Sequence, residues 1–175
     1  VLGAVGLISA LFYTGRPFYW AKRGLGELVL GLNFGPLMAL GSYYVQTQSF
    51  SWVPVIAGVP VGLLISGVLF INEFPDHNAD QAVGKKTLVV RLGTRRAIVP
   101  FGLLVIAAYV TIIVFVALDF LPLLSLLALV VLPATILAIR YTFVYHNRPF
   151  DLAPANALTI ISHLGVGLAI TWVFT

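Results

Sequence analysis

The sequence predicts an all-α fold, a multi-pass bundle of transmembrane helices. Three observations carry that prediction. Apolar residues make up 60% of the chain and charged residues 9%, whereas a soluble globule needs far more charge to cover its surface. The apolar residues fall into five runs, each close to the roughly 20 residues a helix needs to cross a bilayer. The ten Lys and Arg residues all sit on alternate connections between those runs. A mean hydropathy of +1.03 agrees with a bilayer as solvent. This composition excludes a water-soluble enzyme, a disordered chain and a nucleic-acid binder. The absence of cysteine excludes a disulfide scaffold, a thiolate nucleophile and a Cys-ligated zinc.

The first apolar stretch, Val1–Tyr13, is too short to span. It has no charged leading segment and no small-residue cleavage site, so it is a poor signal peptide. It fits the second half of a helix whose first half lies upstream. The spanning runs are Leu25–Val45, Trp52–Ile71, Ala97–Leu118, Leu121–Ile139 and Ala155–Phe174. They are apolar all round, without the alternation of a membrane β-barrel, and a helix pairs its backbone groups within each segment. Pro36, Pro60 and Pro133 fall inside runs and are expected to kink them. Gly31-x-x-x-Gly35 and Gly58-x-x-x-Gly62 offer small-residue faces for close packing. Tyr13, Trp20, Tyr43, Tyr44 and Trp52 sit near run ends, as an interfacial aromatic belt would.

The cations set the orientation. Arg16, Lys22 and Arg23 lie on one connection; Lys85, Lys86, Arg91, Arg95 and Arg96 on another; Arg140 and Arg148 on a third. The intervening connections hold none. By the positive-inside rule the cationic side is cytoplasmic. Both chain ends, Thr175 included, then face the opposite side.

The longest polar stretch, Asn72–Gly93, begins where the second spanning run ends. Asn72, Asp76 and Asp80 recur every four residues and share one face of a helix. Pro75 either kinks that helix or opens a new turn. Two carboxylates and an amide form an oxygen cluster suited to Mg²⁺, which takes one or two carboxylates and leaves its other positions to water and substrate phosphate. Lys85, Lys86 and Arg91 follow, placed to neutralise charge on a departing diphosphate. The spacing alone fits surface ion pairs equally well. Gly84-Lys-Lys-Thr87 lacks the upstream glycine and strand of a P-loop, and no pair of histidines has zinc-ligand spacing. Within the apolar runs, Glu27 suits either a helix N-terminus or a place facing the bundle interior. Asn33, Asn156 and His163 are expected either to bond between helices or to line a cavity.

Asn72-x-x-x-Asp76-x-x-x-Asp80 followed by Gly84-Lys-Lys-Thr-Leu-Val-Val-Arg-Leu-Gly93 resembles the second aspartate-rich motif of the UbiA-type intramembrane prenyltransferases. Tyr13-Thr-Gly-Arg-Pro-Phe18, Arg23-Gly-Leu-Gly-Glu27 and Asn33-Phe-Gly-Pro36 are similar to the middle section of that family. Pro154-Ala-Asn-Ala-Leu-Thr159 with Ser162-His-Leu164 is similar to the last helix of its 1,4-dihydroxy-2-naphthoate polyprenyltransferase branch.

The resemblance implies a nine-helix bundle around a cavity open to lipid. Two aspartate-rich motifs on its cytoplasmic face hold Mg²⁺ and a polyprenyl diphosphate. In that register Ala155–Phe174 is the ninth helix and Trp52–Ile71 the sixth. Residues 1–175 are then a single transmembrane domain, the C-terminal portion of a longer protein whose first three helices and first motif lie upstream. The resemblance assigns Asp76 and Asp80 to catalysis and Mg²⁺. It assigns Asn72, Lys85, Lys86 and Arg91 to the diphosphate. The implied activity is transfer of a polyprenyl group to an aromatic acceptor, 1,4-dihydroxy-2-naphthoate in menaquinone synthesis, in the plasma membrane. Within the family, 4-hydroxybenzoate or a tetrapyrrole are the alternative acceptors. The rival from another class is a membrane transporter or structural subunit. Ion-coupling sites lie near the bilayer midplane at broken helices, whereas these acids lie at a helix exit beside cations.

Overall fold

The computed structural model describes residues 1–174, and every regular element among them is helical. We number the helices α1 (Leu2–Thr14), α2 (Gly26–Thr47), α3 (Val53–Ala82), α4 (Leu88–Leu92), α5 (Thr94–Ala117), α6 (Leu123–Tyr145) and α7 (Ala153–Val173). A turn of 3₁₀ helix, Pro149–Leu152, leads into α7. Five helical segments are long and apolar enough to cross a membrane: α2, α3, α5, α6 and α7 with its lead-in turn. The chain is therefore a membrane protein. Its spanning runs match those expected, and α1 is the short sixth.

α3 is the hub, packing against α2, α5 and α7. Lipid tails are as apolar as leucine, so close packing rather than escape from water holds such helices together. The two glycine faces supply it. A Cβ on Gly35 would lie 2.5 Å from the Gly58 carbonyl and 2.6 Å from Gly62 Cα, and a Cβ on Gly62 would lie 2.5 Å from the Gly31 carbonyl. The helices thus touch backbone to backbone, a distance only glycine permits. Further along α3, Phe70, Phe74 and Phe101 form a buried triangle of rings with centroids 6.0 to 6.2 Å apart. That cluster braces the end of α3 against α5.

The prolines act differently from one another. Pro36 sits in a π-helical bulge, Asn33–Leu37, that interrupts α2; a π turn absorbs the carbonyl a proline leaves unpaired. Pro60 and Pro75 lie inside a continuous α3. Pro133 does not kink the middle of its run. It opens the α-helical half of α6, after a 3₁₀ stretch Leu123–Val131, where its missing N–H is no loss.

Polar contacts between helices come from hydroxyls rather than from the residues expected. Tyr109 and Thr135 hydroxyls lie 2.6 Å apart, and the Thr135 hydroxyl donates to Ser162 Oγ at 2.7 Å, linking α5, α6 and α7. Asn33 instead donates to the Val29 carbonyl of its own helix at 2.7 Å. Asn156 Oδ1 and His163 Nδ1 are buried without a hydrogen-bond partner among the described residues.

The cationic connections meet at one end of the bundle. Lys86 N–H donates to the Lys22 carbonyl at 2.8 Å, and the Thr94 hydroxyl donates to Asn147 Oδ1 at 2.6 Å. At the other end a cleft brings together Val53, Asp119, Phe120 and Phe174. The alternation read from the sequence is therefore geometric fact. Thr175 lies outside the described residues.

Candidate functional site

The site is built on the overhang of α3. Thirty residues of helix extend about 45 Å at 1.5 Å each, against a hydrocarbon core of about 30 Å. The last three turns, carrying Asn72, Asp76 and Asp80, therefore project past the apolar layer, and Pro75 does not break them. Asn72 and Asp76 are exposed, while Asp80 is 6% exposed. The difference is helical geometry. Eight residues rotate a helix about 80° beyond two full turns, so the three side chains fan out rather than stack. Asp80 turns toward the following loop, where its Oδ1 accepts a hydrogen bond from Lys85 Nζ at 2.6 Å. That bond holds the Lys85 ammonium above its ordinary pKa.

The loop after α3 is shaped by five hydrogen bonds. Lys85 N–H donates to the Asp80 carbonyl at 2.9 Å. Thr87 caps α4 by accepting from Val90 N–H at 3.3 Å. Glu73 Oε2 accepts from Val89 N–H at 3.4 Å. Arg91 donates through Nε to the Lys86 carbonyl at 2.8 Å and through Nη2 to the Arg23 carbonyl. Arg91 thus ties this loop to the connection before α2. Gly24, in the left-handed conformation at φ 69°, lets the two loops close: a Cβ there would lie 2.6 Å from the Lys86 carbonyl.

The predicted residues divide accordingly. Asp76, Asp80 and Lys85 stand together, with Lys85 feeling both carboxylates. Lys86 is exposed, and its ammonium has no partner among the described residues. Two of the three Arg91 side-chain nitrogens are spent on backbone carbonyls, so its main part is to latch the loops. The structure adds Lys22 and Arg23, which the sequence offered only as topology markers. It brings their backbone onto the Lys86–Arg91 segment and so adds two cationic residues to the rim.

Could these residues hold Mg²⁺? No group of three or more His, Cys, Asp or Glu side chains gathers among the described residues. Two carboxylates do, Asp76 exposed and without a protein hydrogen bond, and Asp80 with one oxygen taken by Lys85. A hard cation that draws its remaining ligands from water and phosphate suits that set.

A second acidic pair joins Glu27, for which a place facing the bundle interior was one expectation, to Glu73, which went unread in the sequence. Glu73 lies one turn before Asp76, and its carboxyl is a neighbour of the Glu27 carboxyl. Both are buried. Tyr13, expected in the aromatic belt, lies beside both acids. The signal was available, because a glutamate beside a spanning segment is expensive and seldom idle.

Comparison with known proteins adds the family context. The family model described as "UbiA prenyltransferase family" matches residues 1–172. The 2-carboxy-1,4-naphthoquinone phytyltransferase of Synechocystis sp. is 34% identical over 170 residues, covering 96% of this chain and 55% of the relative. The 1,4-dihydroxy-2-naphthoate octaprenyltransferase of Haemophilus influenzae is 32% identical over 165 residues, covering 93% and 53%. The octaprenyltransferase of the same description from Mycobacterium tuberculosis is 35% identical over 117 residues, covering 66% and 40%. The chain spans about half the length of the first two of these curated relatives. No solved structure matches it.

Proposed function

The chain belongs to the UbiA prenyltransferase family, and we propose that the protein it forms part of transfers a polyprenyl group from polyprenyl diphosphate to an aromatic acceptor, 1,4-dihydroxy-2-naphthoate in menaquinone synthesis. The observation that carries this reading is the juxtaposition at the end of α3: Asp76 and Asp80 beside Lys85, inside a rim of Lys22, Arg23 and Lys86. Acids and cations at a helix exit suit a diphosphate held at the membrane surface. They do not suit ion passage, which needs its polar groups at the midplane.

Each group has a part. Mg²⁺ held by Asp76 and Asp80 would offset diphosphate charge. Lys85 is already fixed by Asp80 and presents its remaining N–H donors to a phosphate oxygen. Lys86 supplies a second, mobile cation, and Asn72 an amide N–H. Arg91 keeps the two cationic loops in register. With the diphosphate gripped there, the allylic chain runs into the apolar bundle, and leaving-group charge develops against cations already in place.

The cationic end is the cytoplasmic face of the plasma membrane in this reading, because the Lys and Arg bias sets orientation. The chain is a portion of the whole enzyme in this reading, as the match to about half of its relatives' length supports, and its C-terminal placement rests on the resemblance of Asn72–Gly93 to the family's second aspartate-rich motif. The acceptor rests on relatives whose names share a naphthalene nucleus and differ in the prenyl group. The test is a prenyl transfer assay on the full-length protein in membranes, with labelled polyprenyl diphosphate and either 1,4-dihydroxy-2-naphthoate or 4-hydroxybenzoate. Product from the naphthoate alone supports the assignment; product from 4-hydroxybenzoate alone moves the protein to a different branch.

A further inference from the structure

Between α2, α3 and α5 lies a half-open groove of about 390 Å³, within the range of small-ligand sites, about 300–1,000 Å³. Its walls are apolar: Leu28, Leu32, Val59, Leu63, Phe70 and Leu104. Its upper end is bounded by Gly24 and Leu88, which belong to the two loops that carry the cationic rim. Two polar side chains reach it. Ser66 is spent, its hydroxyl lying 2.6 Å from the Glu27 carbonyl and 2.9 Å from the Gly62 carbonyl. Glu27 is not spent. It is only 6% exposed, and its Oε1 has no hydrogen-bond partner among the described residues.

A buried carboxylate oxygen with no donor is costly. Its presence in an apolar groove calls for an occupant that is largely apolar yet carries a hydroxyl donor. A prenyl chain has no donor to give. A diphosphate would be repelled by the Glu27 carboxylate. A flat hydroxylated aromatic meets both demands.

Resting on the prenyltransferase reading above, we propose that this groove receives the aromatic acceptor and that Glu27 Oε1 accepts a hydrogen bond from an acceptor hydroxyl. The acceptor then lies directly beneath the loops that grip the diphosphate. Glu27 sets which ring positions can face the allylic carbon, and Glu73, anchored by Val89 N–H, keeps the Glu27 side chain from swinging away.

The experiment uses the full-length protein in membranes, with 1,4-dihydroxy-2-naphthoate and its 1,4-dimethoxy analogue as probes and polyprenyl diphosphate as donor. The wild type should bind the dihydroxy compound well and the dimethoxy compound poorly, the latter read as competitive inhibition. Glu27→Gln should raise the KM for the acceptor about 10- to 100-fold, the range expected for a hydrogen bond to a charged group. The KM for the donor should stay unchanged, and the preference for free hydroxyls should collapse. Leu63→Trp, which narrows the groove without touching Glu27, should also raise the acceptor KM while keeping that preference. If Glu27→Gln and Leu63→Trp both leave the acceptor KM unchanged, the groove is not the acceptor site. If they raise the donor KM instead, the groove holds the prenyl chain and the proposal fails. A wild type that transfers no prenyl group to the naphthoate overturns the underlying function, an outcome distinct from these two.

Discussion

Replacing Gly35 with alanine tests the packing on which the site stands. The new Cβ would lie 2.5 Å from the Gly58 carbonyl oxygen, 2.6 Å from Gly62 Cα and 2.8 Å from Gly62 N. All three are backbone atoms of α3, so no side chain can swing aside. Relief requires the helices to separate by roughly the gap to ordinary contact, about 1 Å, and overpacking of this kind costs about 1–3 kcal/mol. Gly41, on the same helix, supplies the control. A Cβ there meets nothing within 4 Å, and Gly→Ala in an open helix is stabilising by up to about 1 kcal/mol. The assay is reversible unfolding of the purified protein in mixed detergent micelles, comparing Gly35→Ala and Gly41→Ala with the parent. The prediction is a loss for the first and a slight gain for the second. Equal effects at the two positions would refute backbone contact between α2 and α3.

Two further predictions concern the cationic end. The chain lacks cysteine, so Gln48→Cys and Lys86→Cys should react with an impermeant thiol reagent from opposite sides of intact cells; labelling from one side would sink the topology. The Lys85 ammonium is held above its ordinary value of 10.5 by its hydrogen bond to Asp80. A raised folded-state value stabilises the fold below the unfolded value, and the gain is lost as pH rises through the folded one. The stability advantage of the parent over Lys85→Met should therefore be constant from pH 7 to 9 and shrink above about 10.5. A difference that grows with alkalinity would contradict the pairing.

The spans were readable because lipid imposes one rule, about 20 apolar residues per crossing, and the alternation of the ten cations was readable as connections that meet at one end of the bundle. The glycine pairs were readable too, since Gly31, Gly35, Gly58 and Gly62 recur at one-turn spacing and the structure joins them. The π bulge at Pro36 and the 3₁₀ start of α6 were not, because they depend on which carbonyls neighbouring helices leave free. Of the two places expected for Asn33, a bridge between helices or a cavity wall, the structure gives the second: its amide bonds its own backbone and it lines a cavity between α1 and α2, since an amide near a carbonyl four residues back needs no partner helix. At the site, the four-residue spacing of Asn72, Asp76 and Asp80 was legible. The burial of Asp80 under Lys85 was not, since it depends on how the loop folds back. Glu27 and Glu73 are 46 residues apart in sequence, and only the packing of α2 on α3 brings them together.

The central claim is that Asp76 and Asp80 hold the divalent cation that a prenyl diphosphate needs. Its most direct test is the rate of prenyl transfer by the full-length protein, titrated with Mg²⁺, for the parent and for Asp76→Asn in the same membranes. The parent should saturate with Mg²⁺ and be inactive in EDTA. Asp76→Asn should insert normally yet lose at least about 100-fold in rate at any Mg²⁺ concentration, the loss expected when several kcal/mol of charge stabilisation go with the metal. A variant that keeps near-parental turnover and the same Mg²⁺ dependence would contradict the account and leave these acids as surface ion pairs.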